Sequence, residues 1–355
     1  MLNLLGDVTK VYKRHSVTID NRTFFLNRVV TLGLLTFCFV VQMGTNFFKT
    51  SIECIGEKQF LDFANLYCYV HSTYSIKSPD AQLDRHMNVG VEDSTKTQIR
   101  HDYYQWVSLA LIAQAALTYL PSFVWRIWEG GRIKSLASGL LSPCVTSEVR
   151  GLAKGNIKHF LVQGSHLQRF YLARFVFCDL LNLAVIFAQL FFINLLVGNV
   201  FTMFGFDALK VLGANPLERT DDLAYVFPTV AKCHLPKFGP SGRQESRDYL
   251  CVLPFNLVNE KMYVMLWVWF CILAVVASFS VAFRIMTLFS STLRNILLQL
   301  RCHPGHEHHI KEVVSKFDAA DWFILCQIGK NVNTTMFTEI VDELALEMKK
   351  TNQLV

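Results

Sequence analysis

"MYVMLWVWFCILAVVASFSVAF", residues 262–283, runs for 22 residues without an Asp, Glu, Lys or Arg. A helix rising about 1.5 Å per residue covers roughly 30 Å over that length, the thickness of a bilayer's hydrocarbon. A buried core helix is the competing reading of any single run of this kind. Residues 29–48 (VVTLGLLTFCFVVQMGTNFF), 103–125 (YYQWVSLALIAQAALTYLPSFVW) and 180–206 are charge-free in the same way. Four such runs stand in a 355-residue chain that is 52% hydrophobic, only 17% charged and carries 29 Phe. They predict an all-α transmembrane protein, a four-span helical bundle, rather than a water-soluble fold.

The charges between the runs orient them. Residues 1–28 hold five Lys or Arg against two acidic residues, and 126–173 hold seven against two, a joint excess of +8; 49–102 and 207–261 together come to −2. Basic loops stay on the cytoplasmic side. The expected order is a cytoplasmic amino-terminal segment (1–28), a first span (29–48), an extracellular loop (49–102), a second span (103–125) and a cytoplasmic loop (126–173). A third-span region (174–206), a second extracellular loop (207–261), a fourth span (262–286) and a cytoplasmic tail (287–355) follow. Both termini are then inside a plasma membrane. The net charge of +6 belongs to the inner membrane surface and its lipid, and argues for no nucleic-acid partner. No cleavable signal peptide is expected, because the first apolar run follows 28 polar-rich residues and is too long for a signal core.

The second span opens on "DYYQW". Tyr103, Tyr104 and Trp106 read there as rim residues whose rings enter the headgroup layer. Pro121, near the inner end, removes one backbone hydrogen bond and can kink the helix. Cys54 and Cys68 fall in the first outer loop, Cys233 and Cys251 in the second, where oxidation to disulfides is expected. Spacing does not choose between pairing within a loop and pairing between loops. Cys38, Cys178 and Cys271 lie in spans as small apolar fillers, while Cys144, Cys302 and Cys326 face a reducing cytosol. The sequons at Asn21 and Asn333 fall on the inner side, so the outer loops are bare and suited to close protein contact.

Several motifs together resemble one family. They are "IECI" with "YCYVHSTYSI" (52–55, 67–76), "YYQWV" (103–107), "WRIWEGGRIKSL" (125–136), "VFPTVAKCHLPKFGPSG" (226–242), "LCVLPFNLVNEKMYVMLWVWF" (250–270) and "DWFILCQIGKNVN" (321–333). Over essentially the whole chain the sequence resembles the innexins, four-span subunits of invertebrate gap-junction channels, and looks like those of insects and insect-associated viruses. Connexins carry three cysteines per outer loop where this chain has two, and pannexins are less similar around YYQWV. The resemblance implies bridges Cys54–Cys251 and Cys68–Cys233, stapling the two outer loops; short helices in the loop 126–173 are expected to pack against the helical tail as a cytoplasmic dome. It implies a cyclic ring of six to eight subunits, with Met1, Leu2, Asn3, Leu4 and Leu5 folded into the mouth as a pore funnel. It also couples the Pro121 kink to gating. The implied function is a large-pore channel whose hemichannels dock on an opposing hemichannel of a neighbouring cell and pass ions and small metabolites passively, with other innexins as further partners. A non-docking hemichannel and a four-span adhesion protein are the alternatives.

The residues themselves leave several roles open. Leu2, Leu4, Leu5 and Val8, followed by Lys10, Lys13 and Arg14, also describe an inner-surface anchor. Gly33, Thr36, Gln42, Gly44 and Thr45 in the first span suit helix packing as well as a wet pore. Asp179 can pair with Arg174 or with a neighbouring helix. The tail predicts helices at 307–317 and 337–349, separated by "GKNVN". "CHPGHEHH" (302–309) offers Cys302, His303, His306, His308 and His309 but matches no structural-zinc spacing; it reads first as a linker, next as a run that senses acidification, and no metal or other cofactor is expected. No phosphate-cradling loop and no nucleophile, base and orienter set points to an enzyme.

Overall fold

Each charge-free run lies largely within a long helix whose ends do not coincide with the run. The computed structural model describes residues 17–48, 52–56, 60–76, 98–140, 146–163, 165–196 and 227–353. The first run comprises α1 (Arg22–Phe25), a π-helical segment (Leu26–Thr31) and α2 (Leu32–Phe48). Then come β1 (Glu53–Ile55), α3 (Leu61–His71), β2 (Thr73–Ile76), β3 (Gln98–His101) and α4 (Val107–Glu129). Short α5 (Arg132–Ala137) and α6 (Ser147–Gln163) lead to α7 (Ser165–Leu196), and the strands β4 (Val230–Phe238) and β5 (Gln244–Val252) to α8 (Pro254–Phe289). The chain closes with α9 (Ser291–Gln299), α10 (Glu307–Lys316), α11 (Ala319–Asn331) and α12 (Thr334–Gln353).

Four helical stretches, Arg22–Gly44, Val107–Glu129, Leu167–Leu195 and Pro254–Phe289, are long and apolar enough to cross a membrane. The four-span helical class therefore stands. Helix bounds differ from those of the apolar runs because backbone hydrogen bonds and caps end a helix, and hydropathy does not.

The chain divides into two compact units. One, of residues 26–119 and 184–275, contains a five-stranded antiparallel sheet in the order β1-β5-β4-β2-β3. Ala231, Cys233 and Leu235 of β4 and Tyr249 and Cys251 of β5 turn to the buried face at period two. This sheet adds to the helical class a feature that the sequence reading did not anticipate.

The other unit comprises the described residues up to Phe25, Leu120–Leu183 and those from Val276 on. Its core joins Trp125, Phe175 and Phe323, with ring centroids 4.8 and 4.7 Å apart, to the inward faces of α6, α10 and α12. At its centre α11 buries Trp322, Phe323, Ile324, Leu325 and Ile328, apolar residues on more than one side of the helix, together with Gln327. Asp318 and Asp321 close its start as a capping box, and Arg169 adds an ion pair to Asp318 at 2.8 Å. The Ala319 amide and Arg169 hold Asp318 below its ordinary carboxylate value. At its other end Gly329 lets the Phe337 ring close in; a Cβ there would meet that ring at 2.7 Å.

"WEGG" explains itself in this unit. Glu129, 3% exposed at the end of α4, accepts the Gly131 and Ile133 amides at 2.7 Å each, capping α5. Gly130 and Gly131 turn the chain at φ +60 and +78, where a side chain costs roughly 1–2 kcal/mol per residue. Glu129→Ala strands both amides and should cost about 1–3 kcal/mol, with Glu129→Gln falling between. Thermal melting of detergent-solubilised protein followed by tryptophan fluorescence measures it; an unchanged midpoint for Glu129→Ala refutes the cap.

Candidate functional site

The sheet unit is held by two disulfides. Cys54 of β1 faces Cys251 of β5 in strand register and is bonded to it, and Cys68 of α3 is bonded to Cys233 of β4. One bond fastens the edge strand, the other seats α3 against the sheet. Each joins residues more than 160 apart, with 197 and 165 positions between partners, and such cross-links contribute about 2–4 kcal/mol. The Cys54 amide also donates to Asn65 Oδ1 of α3 at 2.8 Å.

"DYYQW" corrects the sequence reading. Tyr103 and Tyr104 are only 7% and 9% exposed, so their rings are not available to the headgroup layer; Trp106, at 56%, is. Tyr103 packs edge-on against Phe227 at 5.4 Å, and Phe227 stacks on Tyr263 at 5.6 Å. The Tyr104 hydroxyl donates to the Cys68 carbonyl at 3.3 Å, and Gln105 Nε2 donates to the Tyr69 and Val70 carbonyls at 2.6 and 3.1 Å. Those carbonyls belong to the last turn of α3, where helical amides run out. The motif is a clamp on the helix that Cys68 anchors. Burial pushes the Tyr104 phenol up to about 12, so it stays a donor. Beside it, His101 is hydrogen-bonded to Ser75 Oγ at 2.8 Å, and burial lowers it to about 4.

The polar residues of the spans divide. Gln114, Thr118 and Gln189 are essentially fully buried, with Gln189 Nε2 donating to the Gln114 carbonyl at 2.8 Å and to Thr118 Oγ1 at 3.0 Å. This is interhelical glue between α4 and α7. Pro121 is buried within α4, which runs through it unbroken; its missing amide leaves the Leu117 carbonyl without a helical donor. In α2, Gln42 is 3% exposed and lies on the inward face with Leu35 and Cys38, so it does not join an open polar stripe. Gly33, Thr36 and Gly44 do share one face, and nothing lies within 4 Å of a Cβ built on either glycine.

Asp179 has a partner that sequence proximity does not suggest. Arg284 Nε of α8 donates to Asp179 Oδ2 at 3.3 Å, and Asn21 Nδ2 reaches Oδ1 at 3.5 Å. Arg174 instead lies over the Trp128 ring at 5.9 Å. Just before Asn21 the chain is moored: Asn331 accepts the Thr18 amide at 2.6 Å and donates to the Thr18 carbonyl at 3.1 Å. Trp125 Nε1 donates to the Ile19 carbonyl at 3.3 Å. Met1, Leu2, Asn3, Leu4 and Leu5, the funnel residues, lie outside the described residues, as does Thr45's side chain.

Two histidine clusters complete the inventory. The 302–309 run is not a plain linker, because His306 and His309 both turn to Asp342 of α12. On the hairpin, His234 Nδ1 meets Asp248 Oδ1 at 2.6 Å, and Ser246 Oγ touches both ring nitrogens. A proton relay places the hydroxyl at one nitrogen and the carboxylate at the other, so this exposed trio is a solvated cross-strand contact.

The sequence model described as Innexin matches residues 20–348. Innexin inx2 of Schistocerca americana is 35% identical over 354 residues, covering 98% of this chain and 99% of that protein. Innexin inx2 of Drosophila melanogaster is 34% identical over 356 residues, covering 98% and 96%. Innexin shaking-B of the same fly is 29% identical over 351 residues, covering 97% and 94%. With the family's motifs, four spans and paired cysteines all in one chain, the protein belongs to the innexin family.

Proposed function

We propose that the chain is the subunit of a large-pore channel in which six to eight copies close a ring, and that two rings meet end to end between cells to pass ions and small metabolites. The observation that carries this reading is the pair of disulfides fastening α3 and β1 to the β4 and β5 strands. A surface that meets its counterpart on another cell gains from being ordered beforehand, since ordering during contact subtracts from affinity. One subunit with four apolar spans cannot enclose a wide pore, whereas a closed cyclic ring can.

The basic excess of residues 1–28 and 126–173 supports a cytoplasmic position for both at a plasma membrane, with 49–102 and 207–261 outside, and an even number of spans returns the near-neutral tail to the inner side. The uncovered Gly33, Thr36 and Gly44 face of α2 is offered to the pore or to the adjoining subunit. The funnel role of Met1, Leu2, Asn3, Leu4 and Leu5 rests on the family resemblance alone. Trp106 supplies the rim's interfacial anchor, and Pro121 gives α4 a place to bend during gating.

Pairs of cells expressing this chain alone should exchange current and a small dye. Normal surface expression with neither would overturn docking. Dye uptake by single cells would then leave a non-docking hemichannel, and its absence a four-span adhesion protein.

A further inference from the structure

His306 closes the start of α10 and His309 lies one turn on, so both rings leave the same face of that helix. α12 brings Asp342 to meet them. His306 Nδ1 is 2.8 Å from Asp342 Oδ2, His309 Nδ1 is 2.9 Å from Oδ1, and one donor atom from each of the three residues lies within 4.8 Å of the others. The side chains are 38%, 33% and 23% exposed, sheltered yet open to an ion from solution. The neighbouring histidines diverge. His308 is 76% exposed and 3.9 Å from Glu312, and His303 Nε2 rests 3.3 Å from Thr335 Oγ1.

We propose that His306, His309 and Asp342 form a binding site for a divalent transition-metal ion of the zinc class, which fastens α10 to α12. Two imidazoles and a carboxylate are a donor set that suits zinc, and three protein ligands leave a fourth tetrahedral position to water. Imidazole also separates this set from the all-oxygen sites that calcium and magnesium prefer. The two Nδ1 atoms converge on a single carboxylate, so one ion at their meeting point binds all three donors with little rearrangement. Neutral imidazole is the form that ligates. Sequence spacing within 302–309 gives no hint of it, because the third ligand lies 33 positions beyond His309.

The test uses the full chain, purified in detergent without a polyhistidine tag, stripped with a chelator and equilibrated with zinc chloride. Bound zinc is measured by atomic emission, and geometry by the visible absorption of the cobalt-substituted protein. Wild type and a His303→Gln/His308→Gln control should each bind one equivalent per subunit and melt higher with zinc than without. His309→Gln should weaken binding by about tenfold or more. Its side-chain amide still donates to Asp342, so its zinc-free melting should match wild type, which separates loss of a ligand from loss of fold. Asp342→Asn should also lose the zinc-dependent rise. A wild type that takes up no zinc at micromolar concentration overturns the proposal, as does a His309→Gln variant that binds and melts with zinc as wild type does.

Discussion

Paired cells carrying Cys68→Ser should lose junctional current by roughly tenfold or more while the chain still reaches their surface. The substitution removes a bond that joins α3 to β4 and contributes about 2–4 kcal/mol. It also leaves the Cys233 thiol buried at 1% exposure beside a hydroxyl. The damage does not stay at the sulfur. Tyr104 and Gln105 hold the last carbonyls of α3, so a helix freed at Cys68 also pulls on the clamp that opens α4. Membrane insertion depends on the apolar spans, none of which contains Cys68. Surface biotinylation should therefore change little while dual whole-cell recording shows uncoupled pairs. The Cys68→Ser/Cys233→Ser pair should be equally silent, because the missing bond rather than a stray thiol is the cause. Cys271→Ala, which removes a free thiol in α8, should couple normally. Coupling of Cys68→Ser within twofold of wild type would show that the second bond is dispensable for docking.

What the sequence discloses follows the range over which each feature is specified. A span is local: some twenty consecutive residues without charge carry it, and all four were legible. The hairpin was readable in principle from the alternation of Ala231, Cys233 and Leu235, but β1 has three residues and β3 four, too few to show a period. Partners distant in sequence were not legible. Hydropathy places Tyr104 at a boundary and cannot say that its hydroxyl meets a carbonyl 36 positions earlier. For Asp179 the sequence offered Arg174 or a neighbouring helix; the second holds, but the sequence did not name its residue, 105 positions on. Asp342 was invisible from the histidine run for the same reason. The cysteines are an intermediate case, since their redox fate follows from their place in the chain, whereas the pairing came through the family resemblance and not from spacing.

Arg284→Met should be among the most destabilising single changes in the helical unit, by about 3–5 kcal/mol. It keeps most of the side-chain stem and deletes the charge, leaving the Asp179 carboxylate at 3% exposure with the Asn21 amide, at 3.5 Å, as its remaining side-chain donor among the described residues. The guanidinium does more than pair. It lies over the Phe175 ring at 4.7 Å and the Phe323 ring at 5.3 Å, tying α8 to α7 and to the central tail helix α11. Asp179→Asn should cost less, because the amide still accepts from Arg284 and the ring contacts survive. Arg284→Lys should recover only part of the loss, since an ammonium cannot lie flat across two rings. Combining Asp179→Asn with Arg284→Met should melt higher than Arg284→Met alone, because the cost of a broken buried pair is mostly that of the charge left behind. Thermal unfolding in detergent gives the ranking, with the single Arg284→Met shift on the order of 10 °C. If the double variant melts no higher than Arg284→Met, the stranded carboxylate is not the source of the loss and the ring contacts are. The same variants bear on conduction, because Asn21 bridges Asp179 to Ser280 Oγ at 3.1 Å just beyond the residues moored by Asn331. Loosening the pair frees the stem from which the amino-terminal segment departs, so Arg284→Met channels that do reach the surface should gate abnormally even where they still couple.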